Sequence, residues 1–416
     1  MKITIKYLVI FALLFTSCSR HYVSSDPLQQ ALLEENWKQS LVLADKDYKT
    51  SESVEHKAIK GHVFLANNIN NESMDMFLFL NNEKNNKAWL QWTESFKNKY
   101  PKSPIALYLY GDALIRNGDN TQAVKIFETA EKFAEQKLTK SMIFNASGLA
   151  YLNNNNPDKA QGLFEQATQT DPGFGDAHTS LGMLLSSKKL YPGAVEEFSK
   201  ALAISKDFNL ATYGKACATI ATCTDAGTLK IIISDLENIK HTQVKFFADD
   251  VVVEVLGIMV SGLNKHNTKG NEGTNIKYKS IVTRPDAERK FLLENASPQQ
   301  KIELYKQARS ALAETSKAMV NLAKRPDAHV EGELSIPAVG KLGGGVATNY
   351  STAVDIVKDV RGKVTSDMNT LFKGINKEEL FKNDKALGGL TTVGIDKHFI
   401  DFSNIKFRCL YGLSLI

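Results

Sequence analysis

Small and apolar residues recur through the middle of the chain with a period of 34. Gly148 and Gly182, Ala160 and Ala194, Phe164 and Phe198, and Ala167 and Ala201 are each separated by that interval. The same ladder stands upstream at Gly111, Ala123, Phe127 and Ala130, offset by three extra residues near positions 137–140. Inside each period the apolar positions fall at helical spacing, which predicts two helices per unit. Polar breaks separate them: Asn155, Asn156, Pro157 and Asp158 between the paired helices, and Asp171, Pro172 and Gly173 between units. The clear units are 104–137, 141–174 and 175–208. Downstream, Leu210, Tyr213, Ala216 and Ile220 keep the phase, and residues 229–263 read as capping helices. Upstream, Ala88, Trp92 and Ser95 before Pro101 suggest one degenerate unit. Residues 27–82, with Trp37 and Gly61, read as amphipathic helices of unassigned register.

Past a polar linker at 264–283 the pattern changes. Ser297, Pro298 and Gln300 form a helix-start signature, with Ser as cap, Pro in the first turn and Gln closing a capping box. The helix is expected to run to about Lys324, with Ile302, Tyr305, Ala308, Leu312, Met319 and Ala323 on one stripe, until Arg325-Pro326 stops it. A second long helix is expected from Ser351 to Ile375, with Val354, Val357, Val364, Met368, Leu371 and Ile375 apolar. Between them, residues 330–350 alternate apolar positions and then carry three glycines, which predicts a short hairpin joining two packed helices. Residues 395–410 suggest one or two strands around Ile400, Phe402 and Phe407.

The central ladder resembles the tetratricopeptide repeat, in which Gly or Ala, Ala, Phe, Ala and a closing Pro recur at fixed offsets. Residues 141–174 carry it most fully, with Phe144, Gly148, Tyr151, Ala160, Phe164, Ala167 and Pro172. The resemblance implies a mainly α chain: an α-solenoid of antiparallel helix pairs over 27–263, then a C-terminal α-rich domain, 284–416, with a small β hairpin. It also implies that the first helix of each unit lines a concave groove. The groove positions are then Tyr108, Asp112 and Arg116, followed by Asn145, Leu149 and Asn153, and by Asp176, Thr179 and Met183. Versions that clamp acidic chaperone tails hold a Lys, Arg and Asn set there. This groove has no lysine, so a different ligand is expected, an extended peptide or a partner helix. The competing reading is a groove filled by the chain's own termini.

Residues 1–17 open with Lys2 and Lys6 and an apolar run from Tyr7 to Phe15, too short to span a bilayer and built like a secretory signal. Cys18 follows Phe15, Thr16 and Ser17, which resembles a bacterial lipobox. Phe15 departs from the leucine usual three before the cut. The resemblance implies a signal peptide, a lipidated Cys18 and a tether at 18–26. Ser19, by resemblance to the enterobacterial sorting rule, implies an outer-membrane lipoprotein of a Gram-negative bacterium, facing the periplasm. The remaining Cys217, Cys223 and Cys409 make no disulfide framework and read as small buried residues.

The chain of 416 residues is 43% hydrophobic and 23% charged, with a net charge of +5, or +3 without Lys2 and Lys6. So weak and dispersed a bias gives no expectation of nucleic-acid binding. No HExxH, metal-spaced Cys–His cluster, GxSxG elbow or phosphate loop is present, so neither metal, cofactor, small-molecule substrate nor enzymatic role is expected. His178 reads as core filler. The resulting expectation is a membrane-anchored scaffold or assembly factor of the cell envelope, binding envelope proteins in its concave groove. One alternative is a membrane-perturbing protein acting through the C-terminal helix–hairpin–helix. The other is an enzyme with an unrecognised C-terminal domain.

Overall fold

The computed structural model describes residues 22–47, 53–81, 83–223, 226–241, 244–245, 248, 251–252, 255, 278–323, 334–336, 340–342 and 350–373. The leader with Cys18, Cys409, the linker stretch 264–273, the triple glycine at 343–345 and the expected strands at 395–410 lie outside the described residues.

The array is built from helix pairs: α1 (Pro27–Leu33) with α2 (Trp37–Asp47), and α3 (Val54–Ala66) with α4 (Asn70–Leu78). A single 3-10 turn (Phe79–Asn81) and a lone helix α5 (Glu83–Lys99) follow. Then come α6 (Pro104–Arg116) with α7 (Asn120–Glu131), α8 (Lys137–Asn153) with α9 (Pro157–Thr170), and α10 (Gly175–Ser187) with α11 (Tyr191–Ile204). The series continues with α12 (Asn209–Ile220) and α13 (Ala226–Glu237).

Gly111, Gly148 and Gly182 sit where the two helices of a pair come closest, each under the phenylalanine sixteen residues later. A Cβ at Gly148 would lie 2.5 Å from the Phe164 ring, and one at Gly182 would lie 3.0 Å from Phe198. The three rings are fully buried, each contributing roughly 1.5–3 kcal/mol of apolar burial. Seven residues after each glycine, Gly118, Asn155 and Lys189 hold a positive φ of 84°, 57° and 62°, the left-handed step that reverses the chain between paired helices.

The same three features define a fourth unit whose register the apolar pattern left open. Gly61 lies under Phe77, with a Cβ-to-ring approach of 2.8 Å, and Asn68 takes a φ of 58°. The α3–α4 pair is therefore a repeat unit in shape, followed by α5 as an extra helix that packs on α3 and α6.

The C-terminal unit comprises α14 (Lys279–Val282), α15 (Asp286–Glu294), α16 (Pro298–Ala323), β1 (Leu334–Ile336), β2 (Gly340–Leu342) and α17 (Tyr350–Phe372). The capping box forms as read: Gln300 N donates to Ser297 Oγ at 3.2 Å, and Ser297 N donates to Gln300 Oε1 at 2.9 Å. α16 packs against α17, burying Tyr305, Ala308 and Leu312 with Val357, Val364, Met368 and Leu371. The side chains of Ile302, Met319, Ala323 and Val354, and Ile375 altogether, fall outside the described set. β1 and β2 pair antiparallel with Leu334 opposite Leu342, the hairpin that joins the two helices. Arg289 Nε and Tyr278 OH both donate to Asp367, at 2.7 and 2.8 Å, tying α14 and α15 to α17.

Candidate binding face of the repeat array

The first helices of the three clear units, α6, α8 and α10, carry the nine positions expected to line an open groove. Eight of them are buried: Tyr108, Asp112, Arg116, Asn145, Leu149, Asp176, Thr179 and Met183. Asn153 is half-buried and donates to Asn120 Oδ1 at 2.9 Å. Every residue of α6 is buried, and α10 is buried at all but two positions. A helix so enclosed is covered on its inner face as well as its outer one. Residues within 22–47 and 53–78 meet α6 and the starts of α8, α10 and α12, so the chain itself occupies part of the groove expected to be open.

The chain's own contacts with the array follow the repeat order. Tyr100 OH donates to Val23 O at 3.1 Å, and Tyr22 packs edge-on against Tyr100. Trp37 Nε1 donates to Thr139 Oγ1 at 3.2 Å. Asn68 Nδ2 donates to Gly173 O at 3.0 Å while Gly175 N donates back to Asn68 Oδ1 at 2.9 Å. Asn71 repeats the pairing one unit on, with Asp207 O at 2.5 Å and Asn209 N at 3.2 Å. Asp75 Oδ1 then lies 3.1 Å from His241 Nε2. Thr139, Gly173, Asp207 and His241 are successive positions of one 34-residue period.

These contacts answer a need of the helices. Gly175 and Asn209 are the first residues of α10 and α12, and their backbone N–H groups have no partner within the helix. The preceding residues, Phe174 and Phe208, supply no side-chain cap, unlike Ser103, Asp119 and Asn156 before α6, α7 and α9. The carboxamides of Asn68 and Asn71 fill the gap from outside.

Where α3 meets α6 the contact is charged and deeply buried. Asp112 accepts from Arg116 Nε at 2.7 Å and Nη2 at 3.1 Å, and from Trp89 Nε1 at 3.2 Å. His62 Nε2 lies 3.2 Å from the same carboxylate, and its Nδ1 lies 3.2 Å from Tyr108 OH. With Asp112 ionised, Nε2 carries the proton and Nδ1 accepts from the tyrosine. The Arg116 guanidinium stacks over Phe77 at 4.5 Å. Burial alone would raise the Asp112 pKa, but the Arg116 charge and the hydrogen bonds from Arg116 and His62 outweigh it and hold the carboxyl well below its usual range. Burial dominates at His62 and lowers its pKa from 6.5, despite the opposing pull of Asp112. Burial also pushes the Tyr108 hydroxyl well up.

Further along, Asn145 Nδ2 donates to Asp176 Oδ2 at 2.7 Å, linking α8 to α10, and Thr179 Oγ1 folds back onto Gly175 O. His178 is more than filler: Nδ1 meets Glu197 Oε2 at 2.7 Å and Nε2 meets Pro172 O at 3.1 Å. It borders an open cleft of about 700 Å³ lined by α9, α10 and α11. Cys217 is buried with its thiol pushed to about 12 by desolvation, Cys223 is half-buried, and neither is in a disulfide. Among the described residues no group of three or more His, Cys, Asp or Glu could hold a metal ion, and no helix is long and apolar enough to cross a membrane.

Sequence reading named Tyr108, Asp112 and Arg116 but not the residues that meet them, His62, Trp89 and Phe77, nor Asn68 and Asn71. The recurrence of Gly61, Asn68 and Phe77 at the offsets of Gly148, Asn155 and Phe164 is the signal that identifies their unit.

The tetratricopeptide repeat pattern matches residues 79–137 and 145–207. A tetratricopeptide repeat domain-containing protein, PYG7, from the chloroplast of Arabidopsis thaliana, is 30% identical over 86 residues, 19% of this chain and 29% of that protein. The match thus spans less than a third of the curated relative's length. Among solved structures, YrrB, described as a TPR protein with an unusual peptide-binding site, is 20% identical at a TM-score of 0.25, over 45% of this chain and 88% of its own. Pseudomonas aeruginosa pilF is 15% identical at 0.32, over 51% and 88%. A monomeric mutant of IFIT1 with Gppp-AAAA is 13% identical at 0.36, over 92% and 85%. Residues 79–137 and 145–207 thus match the tetratricopeptide repeat, and the helix pairs and Gly–Phe packing there agree with that match.

Proposed function

We propose that the protein is a scaffold or assembly factor that binds other proteins through its repeat array and is held at the bacterial envelope by a lipid on Cys18. The observation that carries the first half is the inner face itself. It holds a polypeptide segment through contacts that recur with the repeat, which is how a protein-binding array engages a ligand. The second half rests on the basic, apolar leader and the cysteine that follows it. Two or three acyl chains at one cysteine make a firm anchor, and anchoring raises the effective concentration of the array for envelope partners.

The test labels cells with a radioactive fatty acid and compares wild type with Cys18→Ala. Photo-cross-linking residues at exposed Lys125 and Lys159 of the array, and at Lys290 of the C-terminal unit, report neighbours. Lipid incorporation, membrane recovery and adducts to envelope proteins from the two array positions are expected in wild type. Unlabelled protein, or adducts from Lys290 alone, would overturn the reading.

A further inference from the structure

Residues 22–47 and 53–78 could be an ordinary first domain that happens to touch the array. Three observations point elsewhere. The contacts advance in register, with Trp37, Asn68, Asn71 and Asp75 meeting Thr139, Gly173, Asp207 and His241, one repeat per step. The two asparagines form the same two-bond pairing, taking a carbonyl and giving an acceptor to the first N–H of the next helix. The helices so contacted lack caps of their own. The close approach at Gly175, where a Cβ would lie 3.3 Å from Asn68 Oδ1, shows how tightly the amide is seated. A segment that follows the groove from unit to unit and reads equivalent backbone positions in successive units is bound as a ligand is bound.

We infer that the inner face of the array is a polypeptide channel whose resident ligand is the chain's own residues 22–47 and 53–78, read through carboxamides at the turns between units, and that this state is closed to other groove-binding segments. The inference deepens the reading of the array as a protein-binding module and rests on it. The recognition chemistry is specific. Each turn offers one carbonyl oxygen (Gly173 or Asp207) and one helix-start N–H (Gly175 or Asn209), a pair that a primary carboxamide satisfies at both ends. A competing segment would present amides three residues apart across a helix–turn–helix, with an apolar ring in the place of Phe77 and a donor for Asp112. Displacement has to be competitive. On release, the Phe77 ring under the Arg116 guanidinium and the His62 ring beside Asp112 and Tyr108 would lose their buried partners.

The experiment places a site-specific protease site between Asn81 and Glu83 of the full chain, cuts it, and adds a fluorescent fragment of residues 22–81. The cut segment is expected to co-elute with the array and to exchange with the labelled fragment. Asn68→Ala with Asn71→Ala in the fragment is expected to weaken its binding at least tenfold, with the array itself unaltered. Aggregation on cutting, absence of exchange, or equal binding of the altered fragment would overturn the inference by making the segment inseparable core. A concentration-dependent dimer would overturn it by placing the occupant in a second copy. Hydrogen exchange on the uncut wild type gives a reading free of any variant. Amides of α3 and α4 are expected to open separately from those of α8 to α11, and a single shared opening would count against the inference. A cut chain that exchanges its own segment but forms no adduct with an envelope protein would leave this inference standing and remove the scaffold reading.

Discussion

At the scale of single residues, the repeat period is a packing requirement written as glycine and phenylalanine sixteen apart. The requirement is not equally strict in each unit. At Gly148 an added methyl would meet the Phe164 ring at 2.5 Å, whereas at Gly182 it would meet Phe198 at 3.0–3.1 Å. Replacing a mid-helix glycine by alanine gains about 1 kcal/mol in helix propensity, while overpacking a filled core costs typically about 1–3 kcal/mol. Gly148→Ala is therefore expected to destabilise the array and Gly182→Ala to leave it within about 1 kcal/mol of wild type. Urea unfolding followed by circular dichroism measures both, and equal losses at the two sites would refute the ranking. This part of the fold was open to sequence reading because a residue excluded by sterics leaves a visible gap in the ladder.

At the scale of elements, what sequence reading could reach depended on how a helix is buried. The pairs α6–α7, α8–α9 and α10–α11 each pack against like neighbours, so their apolar positions repeat. The helix α16, with Ser297 and Gln300 at its start, and α17 show an ordinary one-sided stripe. The α3–α4 pair packs against the inside of the array as well as its own partner, and polar side chains replace part of its apolar signal: Ser73 stands where Ala160 stands in the clear unit, and His62 and Asn68 serve the array. Its register was hidden for that reason, and with it the closure of the groove. The His62 junction between α3 and α6 gives a measurable consequence. His62 faces Asp112, Tyr108, Arg116, Trp89 and Phe77, and its folded pKa lies below 6.5. A folded value below the unfolded one means that the unfolded chain binds more protons. The neutral imidazole thus contributes stability that is fully present above the unfolded value and is lost as pH falls through it. The urea midpoint of the wild type is expected to fall between pH 7 and pH 5, and His62→Gln to flatten that slope while lowering the midpoint at pH 7. The Asp112 carboxylate acts in a lower window, below its unfolded value near 4, and does not interfere.

At the scale of the whole molecule, the occupied groove and the proposed anchor constrain each other. The tether expected at 18–26 is shortened by the fold, because Tyr22 already packs on Tyr100, Ser24 N donates to Gln30 Oε1, and Asp26 caps α1. Between a lipidated Cys18 and Tyr22 the chain reaches at most about 14 Å, at roughly 3.3–3.6 Å per residue. The start of α6, next to Tyr100, is then held close to the bilayer. The end of the array at α13 lies three unit spacings further on, each about 8–10 Å between packed helices. An anchored protein would stand with its first unit at the membrane and its resident segment entering the groove from the membrane side. Dyes placed by Lys102→Cys and by Lys240→Cys, in a Cys223→Ser, Cys409→Ser background, are both at exposed positions near opposite ends of the array. With quenchers in the lipid headgroups, the dye at 102 is expected to be quenched and the dye at 240 spared. Equal quenching would lay the array flat on the membrane, and absence of quenching at 102 would break the link between Cys18 and the first unit.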